Sequence, residues 1–171
     1  MIMEMKEIKP TEIDDNFVKL IGADWMLVTA GDIHDFNMMT ASWGGVGVLW
    51  GLPVATVYVR PERFTKGYID RTGRFTLTFY PESMRKMLGV MGKESGRTFD
   101  KMHYPGLSPV ELPSGQVAFA EARLVIDCEL KYVDSIKPEC MLDKSVLRWY
   151  GAAQGGYHDM YIAEIKHVYV A

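Results

Sequence analysis

The chain of 171 residues carries a formal net charge of −3, and its 48% hydrophobic and 24% charged residues are typical of a globular protein. This length predicts a single domain that spans residues 1–171. The weak negative charge argues against a nucleic-acid partner, because nucleic-acid surfaces normally appear as strongly basic domains. No apolar run approaches the roughly 20 residues of a membrane-spanning helix, so no membrane partner is expected.

The N-terminal sequence MIMEMKEIKP lacks the basic and then apolar order of a secretion signal, which predicts a cytoplasmic location. The two cysteines, Cys128 and Cys140, form no C-x-x-C pair, so we expect reduced thiols and no metal site. Cys128 belongs to an alternating apolar pattern and is expected in the core. Cys140 follows Pro138 and Glu139 at a predicted helix start, which leaves both packing and a redox role open.

The first half of the chain is rich in short strand patterns. Runs of β-branched, aromatic and threonine residues predict strands at 25–31, 36–44, 53–60 and 74–81. The stretches 117–136 and 157–170 predict two or three more strands. Six or more short strands with tight turns favour a closed barrel over an open parallel sheet. The expected class is therefore mainly β with α additions.

Helical patterns are fewer than strand patterns. One helix is predicted to begin at Pro81 and end near Gly92, with an apolar face that packs on the barrel. This face consists of Met84, Met87, Leu88 and Met91. A shorter helix is predicted from about 62 to 71, stopped by Gly73, and another from 138 to 150.

Basic residues are concentrated between positions 60 and 101. This quarter of the chain holds ten of the 19 lysines and arginines but only five acids, so its charge is near +5 while the remainder is near −8. A compact basic zone suits a small anion such as a phosphate better than an extended polyanion. The alternative is a solvated, charged surface on the two predicted helices of this zone.

The strand predicted at 53–60 ends in Arg60 and Pro61 and leads directly into a predicted helix. Such a strand end faces the unpaired N–H groups and the positive dipole end of the helix, where an anion fits. Arg60 can bind a phosphate through two parallel hydrogen bonds, and the Thr65 hydroxyl supplies a third donor. The alternative is an arginine at the sheet edge and a threonine that faces water.

A second candidate surface is the sequence FNMMTASWGGVG, a predicted strand that ends in a glycine-rich turn. Its small hydroxyl residues and glycines allow backbone amides to approach the ring atoms of a flat ligand. The alternative is that these residues simply suit a half-exposed strand. The candidate ligand contacts are Asn37, Met38, Thr40, Ala41, Ser42 and Trp43.

The segment from TASWGGVG to FTLTFYP, followed by MGKESGRTFDK and GGYHDMYIAEI, resembles the flavin reductase-like, FMN-binding split-barrel family that includes flavoredoxin. The likeness extends from about residue 20 to the C-terminus, and the order of the segments is more specific than any one of them. The resemblance implies a six-stranded antiparallel split β-barrel of Greek-key type. It also implies a homodimer with noncovalent FMN near the subunit interface.

The resemblance further implies which residues contact the flavin. The ring would lie against Asn37 to Trp43, the phosphate against Arg60, Phe64 and Thr65, and the loop GKESGR would add Lys93, Ser95 and Gly96. The alternative for Lys93 is that it is a solvated turn residue without a ligand contact. His158 matches a histidine beside the nicotinamide or flavin face in related reductases, and a packed, hydrogen-bonded histidine is the alternative.

The activity implied by the resemblance is transfer of a hydride from NADH or NADPH to the flavin. Electrons would then pass to free flavin, a monooxygenase partner or another acceptor. The sequence has no G-x-G-x-x-G after a strand, so a nicotinamide nucleotide would bind transiently over the ring. Two rival hypotheses are an FMN electron-transfer protein of the flavoredoxin type that does not use NAD(P)H, and a barrel without flavin that binds another phosphorylated ligand.

Overall fold

The computed structural model describes residues 5–171, and its regular structure is mainly antiparallel β-strand. The strands are β1 (Lys6–Ile8), β2 (Met26–Asp32), β3 (Asp35–Ala41), β4 (Gly44–Leu49), β5 (Leu52–Val59), β6 (Arg74–Phe79), β7 (Pro109–Glu111), β8 (Val117–Phe119), β9 (Leu124–Ser135) and β10 (Asp159–Val170). The α-helices are α1 (Phe17–Lys19), α2 (Phe64–Thr72) and α3 (Arg85–Lys93), and α1 continues into a π-helical turn at Leu20–Asp24. Short 3₁₀ turns lie at Pro10–Glu12, Glu82–Met84, Pro138–Cys140 and Lys144–Trp149.

The main sheet contains eight strands, seven of which pair in the order β3-β2-β6-β9-β10-β5-β4. The short strand β1 pairs with the last residues of β10, beside the part of β10 that pairs with β5. A separate two-stranded sheet is formed by β7 and β8. All of these pairs are antiparallel.

The first and last strands of this order, β3 and β4, are consecutive in the chain and are joined only by Ser42 and Trp43. A link of this length spans roughly 11 Å at most, so the sheet has to curl until its two outer strands meet. Within residues 5–171 no hydrogen-bonded ladder joins β3 to β4, and the barrel stays open along that gap. The predicted mainly β class with α additions is confirmed as a split barrel, and β1 and β4 raise the expected six strands to eight.

The interior of the curled sheet holds alternate residues of its strands. Phe75, Leu77 and Phe79 of β6 are fully buried in one apolar cluster with Ile126 and Cys128 of β9. Each large apolar side chain buried in this way contributes about 1.5–3 kcal/mol. Cys128 is therefore a core residue, as predicted, and its burial raises the pKa of the thiol.

The helix α3 covers the outer face of β2 and β3. Met87, Leu88 and Met91 are buried in a second apolar cluster together with Leu27 of β2 and Met38 of β3. Three of the four residues of the predicted apolar face are therefore buried as expected, while Met84 lies half-buried in the 3₁₀ turn before α3 and packs against the same cluster. Because β2 is covered on both sides, five consecutive residues from its start are buried.

The helix α2 has nearly the bounds that the sequence predicts. Its end is fixed by Gly73, which adopts a left-handed conformation with φ 65° and donates its N–H to the carbonyl of Ile69 at 2.8 Å. A glycine accepts this conformation without strain from a Cβ atom. The predicted stop at Gly73 is confirmed.

The predicted helix at 138–150 is wrong. This segment forms two 3₁₀ turns, Pro138–Cys140 and Lys144–Trp149, and neither contains a buried residue. The side chain of Asp143 accepts a hydrogen bond from the N–H of Ser145 at 2.9 Å, which starts the second turn afresh. An amphipathic helix gains most of its stability from a packed apolar face, and this segment has none to pack.

The glycine-rich turn predicted after Trp43 is also wrong, because the strand β4 begins at Gly44 and pairs with β5. The strand predicted at 36–44 accordingly ends at Ala41. The β4–β5 hairpin turns at Trp50 and Gly51, which both have positive φ, at 54° and 71°. Such angles are those of a two-residue type I′ turn, in which tryptophan is not a favoured residue.

Neither a membrane-crossing helix nor a metal centre is found in residues 5–171. No helix in that range is long and apolar enough to cross a bilayer. Likewise, the range contains no group of three or more histidine, cysteine or acidic side chains that could hold a metal ion. Cys140 is exposed and its thiol is free.

Candidate functional site

Two cavities lie side by side next to β3, at the end of β5 and the start of α2, and they share Met39 and Arg63 as a common wall. The α2 lobe, with a volume of about 200 Å³, is bounded by β3, the start of α2 and the loop 93–96. The His158 lobe, with a volume of about 160 Å³, is bounded by the ends of β3 and β5 and by His158. Together the lobes reach the lower end of the size range of small-molecule sites, about 300 Å³.

The guanidinium of Arg63 lies in the wall between the two lobes. Its Nη1 donates to the carbonyl of Gly92 at 2.8 Å, and its Nε lies 3.4 Å from the sulfur of Met39. Its Nη2 is buried and has no hydrogen-bond partner in the described part of the chain. Burial lowers the pKa of Arg63, but arginine remains charged in proteins. A buried cationic donor without an acceptor is costly, so this wall is suited to an anionic ligand.

Lys101 places a second buried cation at the α2 lobe. The residue is only 4% exposed, and its Nζ donates to the carbonyls of Met38 at 2.8 Å and Met91 at 2.9 Å. An ammonium group has three N–H donors, so one is left for a ligand. Burial and, secondarily, the charge of Arg63 lower the pKa of Lys101 to about 8. An anion in the lobe would relieve the repulsion between these two cations.

The first turn of α2 provides neutral donors to the same lobe. Arg63 is the N-cap residue, and no side chain caps the free N–H groups of this turn. The buried hydroxyl of Thr65 accepts a hydrogen bond of 2.8 Å from the side-chain amide of Asn37 on β3. Because that hydroxyl is used as an acceptor, its own proton is available to a ligand.

The loop 93–96 closes the α2 lobe, and Gly96 allows it to do so. A Cβ atom at position 96 would lie 2.1 Å from Oδ1 of Asn37 and 2.8 Å from Cδ1 of Phe64. Any larger residue would therefore push the loop away from β3 and α2. Ser95 also lines the lobe, whereas Lys93 lines it with an exposed side chain.

Two carboxylates, those of Glu62 and Glu94, lie at the same lobe. Glu62 is exposed, and the N–H of Gly156 that it accepts at 2.6 Å lowers its pKa. Glu94 is half-buried, and its charge opposes the lowering of the Lys101 pKa, whereas water screens the exposed carboxylate of Glu62. The α2 lobe is therefore lined by the cations of Arg63 and Lys101 and by one half-buried carboxylate, that of Glu94.

The His158 lobe has a different chemistry, because a neutral imidazole and the ring of Tyr58 line it together with the guanidinium groups of Arg60 and Arg63. His158 is 6% exposed, and burial together with the charge of Arg60 lowers its pKa to about 4. The ring of Trp43 lies 5.1 Å from that of His158 and 5.2 Å from that of Trp149, measured between centroids. The Nδ1 atom of His158 lies 3.0 Å from the hydroxyl of Tyr150. A flat ring that enters this lobe would meet no charge on the histidine at neutral pH.

The sequence model of the flavin reductase like domain family matches residues 19–171 of the chain. The chain belongs to this family. No curated protein sequence matches it. The family assignment agrees with the resemblance seen in the sequence.

Several solved structures share the fold of this flavin reductase-like chain. An FMN-binding protein from Thermus thermophilus with bound p-hydroxybenzaldehyde has a TM-score of 0.69 and 20% identity, over 98% of this chain and 82% of that one. Flavoredoxin from Methanosarcina acetivorans has a TM-score of 0.65 and 18% identity, over 96% and 76%. An NADH:FAD oxidoreductase from Streptomyces globisporus C-1027 has a TM-score of 0.63 and 15% identity, over 86% and 74%. At these identities the likeness shows the shared fold.

In this flavin reductase-like chain most of the predicted site residues lie together. The α2 lobe is lined by Asn37, Phe64, Thr65, Lys93, Ser95 and Gly96. The His158 lobe is lined by Thr40, Ala41, Arg60 and His158. Met38 is fully buried beneath them and contributes its carbonyl to Lys101, while Ser42 and Trp43 form the link from β3 to β4.

Arg60 does not join Phe64 and Thr65, although the sequence predicts a shared phosphate contact. It lines the other lobe, and its guanidinium donates to the carbonyls of Gly156 and Trp149, both at 2.9 Å. These two bonds use two of the five N–H donors of an arginine, so the remaining donors are available to a ligand. A contact between Arg60 and the flavin stays a prediction.

Sequence reasoning missed Arg63 and Lys101 as site residues. Both belong to the basic zone of residues 60–101, and Lys101 is part of the quoted segment MGKESGRTFDK. The sequence does not indicate which of the ten basic side chains in that zone are buried. A signal was present for Arg63, since it lies in the first turn of the helix predicted from about 62 to 71, where backbone N–H groups are free.

Proposed function

We propose that the protein binds FMN noncovalently across the two lobes and acts as an NAD(P)H-dependent flavin reductase, as its family membership suggests. The observation that carries the proposal is the buried Nη2 of Arg63, a charged donor without an acceptor in the described residues. A phosphate is the acceptor that fits it, because planar guanidinium groups bind phosphate oxygens well. The proposal includes a cytoplasmic location, where reduced nicotinamide nucleotides are available.

The α2 lobe would hold the phosphate. Arg63 and Lys101 supply two cations, Thr65 and Ser95 supply hydroxyl donors, and the first turn of α2 adds backbone N–H groups. A phosphate dianion requires this combination of charge and hydrogen-bond donors. The neutral ribityl chain would cross the wall that Met39 and Arg63 form between the lobes.

The His158 lobe would hold the flavin ring. Small residues at the end of β3, among them Ala41, let the backbone approach the ring edge, and Trp43 lies next to the lobe. Bound FMN would supply the hydride acceptor and the onward electron transfer. The protein orients the ring and presents a neutral His158 to the space where a nicotinamide would enter. The Streptomyces globisporus relative, named as an NADH:FAD oxidoreductase, supports a nicotinamide donor.

Anaerobic mixing of the FMN-loaded protein with NADH and with NADPH tests the proposal. We expect one nucleotide to bleach the flavin absorbance faster than it bleaches free FMN. The control is reduction by dithionite, which should bleach the bound flavin in any case. If neither nucleotide then bleaches the flavin faster than it bleaches free FMN, the reductase function is refuted. That result would favour the second candidate, a flavin electron-transfer protein of the flavoredoxin type, which the similarity to flavoredoxins supports.

The third hypothesis, a barrel that binds another phosphorylated ligand without flavin, is tested by titration. We expect the purified protein to quench the fluorescence of FMN as it binds. A colourless preparation that leaves FMN fluorescence unchanged would remove the flavin from the proposal. Inorganic phosphate serves as a competitor for the α2 lobe in the same titration.

We also propose that two copies of the chain form a homodimer through the tip of the β4–β5 hairpin. Val48 is 78% exposed and Trp50 is 57% exposed there, and Val133 of β9 is 49% exposed. The ring of Trp50 lies 6.4 Å from that of Tyr132, so the hairpin and β9 present one apolar surface. Soluble monomers seldom expose a contiguous apolar surface of this kind, and homodimers pair such a surface with its own copy.

A further inference from the structure

The segment 149–156, which we call the strap, crosses the end of β5 on its way to β10. Arg60 holds both ends of the strap, because its Nη2 donates to the carbonyl of Trp149 and its Nη1 donates to that of Gly156, both at 2.9 Å. Glu62 adds a second bond to the same end by accepting the N–H of Gly156 at 2.6 Å. A cation and an anion from one short stretch of chain therefore fix the strap in place.

The strap is tightly folded between these two attachment points. Gly151 and Gly155 have φ of 135° and 102°, and the N–H of Gly155 donates to the carbonyl of Gly151 at 2.8 Å. A Cβ atom on Gly156 would lie 2.8 Å from Cγ of Pro61. The glycines thus allow the strap to close on itself and to lie against the end of β5.

The strap carries Tyr150 to the side of His158. The hydroxyl of Tyr150 lies 3.0 Å from Nδ1 of His158, and the two rings meet edge to face at 5.5 Å. The ring of Tyr150 also stacks on that of Tyr157 at 4.6 Å, and the guanidinium of Arg60 lies 5.3 Å from the Tyr150 ring. The tyrosine is held from several sides, which leaves its hydroxyl little freedom to turn away.

We propose that Tyr150 is a positioning residue for His158 and that Arg60 and Glu62 keep it in place through the strap. This inference rests on the proposed function. A phenol is a better donor than an imidazole and a poorer acceptor, so Tyr150 donates to Nδ1 and the proton of the neutral imidazole is on Nε2. The Nε2–H group has no hydrogen-bond partner among residues 5–171, and His158 lines the lobe assigned to the ring. The strap therefore provides a fixed, uncharged donor for an acceptor atom of a ligand in that lobe.

The protonation states of both partners agree with this arrangement. Burial and, secondarily, the charge of Arg60 lower the pKa of His158 to about 4, while the charge of Glu62 opposes the shift. Burial raises the pKa of Tyr150, against the opposing charge of Arg60. Both groups are neutral at pH 7, so the bond joins a neutral phenol to a neutral imidazole.

The experiment is nitrogen NMR of ring-labelled histidine in the full chain without added flavin. Four histidines are present, and a His158→Gln variant identifies the signal of His158. We expect a single tautomer with the proton on Nε2 in the wild type and a mixture of tautomers in Tyr150→Phe. Tyr157→Phe is the matched control, because it removes a hydroxyl from the neighbouring ring and should leave the tautomer unchanged. A wild-type proton on Nδ1, or an unchanged spectrum in Tyr150→Phe, would overturn the proposal.

A second variant tests the role of the strap. Gly156→Ala introduces a Cβ atom that collides with Pro61 and displaces the end held by Arg60 and Glu62. We expect the His158 signal to shift toward the tautomer mixture of Tyr150→Phe. An unchanged signal, in a variant whose NMR spectrum shows that the strap has moved, would remove Arg60 and Glu62 from the proposal.

Flavin reduction separates this inference from the function on which it rests. With FMN bound, we expect Tyr150→Phe to slow reduction by the nicotinamide nucleotide about tenfold, as for the loss of one hydrogen bond at the ring. If the wild type reduces flavin and the tautomer does not depend on Tyr150, only the inference fails. If the tautomer depends on Tyr150 and the wild type oxidises neither nucleotide, only the proposed function fails.

Discussion

The side-chain amide of Asn37 donates a hydrogen bond of 2.8 Å to the hydroxyl of Thr65, and both residues are buried. This bond joins β3 to the first turn of α2 at the floor of the α2 lobe. It orients the hydroxyl of Thr65 so that the proton faces away from Asn37. The two candidate segments of the sequence are thereby connected directly.

Asn37→Ala should lower the free energy of unfolding by about 1–3 kcal/mol, because the buried hydroxyl of Thr65 loses its donor. Thr65→Val removes the other partner of the same bond. We expect the double variant to lose less than the sum of the two single losses, with a coupling of about 0.5–3 kcal/mol. Urea denaturation of the four proteins measures this, and strict additivity would show that the two side chains do not interact.

Arg63→Ala should weaken FMN binding by about 1.5–3 kcal/mol, the range for a hydrogen bond to a charged group. Arg60→Ala is the matched comparison, since Arg60 lies in the other lobe and already uses two donors on the strap. Calorimetry should show the larger loss for Arg63→Ala. A larger loss for Arg60→Ala would show that Arg60 binds the phosphate, as the sequence predicts.

FMN affinity should fall as the pH rises above about 8, the pKa that burial gives Lys101 in the free protein. Below that pH the ammonium is charged and attracts the phosphate, whereas above it the neutral amine does not. The unfolded chain retains the proton up to the ordinary lysine pKa of about 10.4, so the stability of the free protein should rise with pH between these two values.

Titrations of FMN at pH 7 and pH 9.5 measure this dependence, and Lys101→Met provides the control. The variant should bind FMN more weakly at pH 7 and should lose most of the change between the two pH values. If the FMN affinity of the variant changes by the same factor between pH 7 and pH 9.5, a group other than Lys101 causes the pH dependence.

Gly96→Ala should destabilise the protein by about 1–3 kcal/mol and reduce FMN affinity, because the new methyl group collides with Asn37 and Phe64. Gly67→Ala is the matched control, since a Cβ atom at this position in α2 meets nothing within 4 Å. An alanine in a helix is favoured over glycine by about 1 kcal/mol, so the control should gain stability. Thermal unfolding with and without FMN distinguishes the two variants, and equal behaviour would contradict the close approach of the loop.

Trp50→Asn should convert the proposed dimer to a monomer without weakening the fold. Trp50 occupies a turn position with φ 54°, where asparagine before glycine is preferred, and it is largely exposed. Sedimentation should show the change in mass, and thermal unfolding should show a monomer that keeps its fold. Val18→Lys is the control, because Val18 is 88% exposed outside the hairpin and β9. A Trp50→Asn protein that remains dimeric would exclude this surface.

Local patterns were sufficient to predict much of the fold. The strands β2, β3, β5 and β6 coincide with runs of β-branched and aromatic residues. The helix α2 ends at Gly73, whose left-handed conformation favours glycine. The strand β4 could not be predicted in this way, because its glycines favour a turn and it is stabilised by pairing with β5. The helix predicted at 138–150 does not form for the opposite reason, since this segment has a helical pattern but no buried apolar face that would stabilise it.

The candidate site was predicted in outline but not in its assignment of charges. The sequence indicates a basic zone and a strand end that suit a phosphate, and the structure brings Thr65, Gly96 and Asn37 together there. Burial decides which cation serves the lobe, and burial depends on contacts between distant parts of the chain. Arg60 and Arg63 differ by three positions, yet one is bound to the strap and the other has a free buried donor.

The short connection of Ser42 and Trp43 has a consequence for how the barrel can vary. It tethers the two strands that border the open seam, and residues next to it at the end of β3 line the His158 lobe. The seam has no ladder in the described residues to fix its width, so the tether length governs how far the walls of that lobe can separate. Insertion of one or two residues there would enlarge the compartment for bulkier rings while every pairing register of the sheet stays the same.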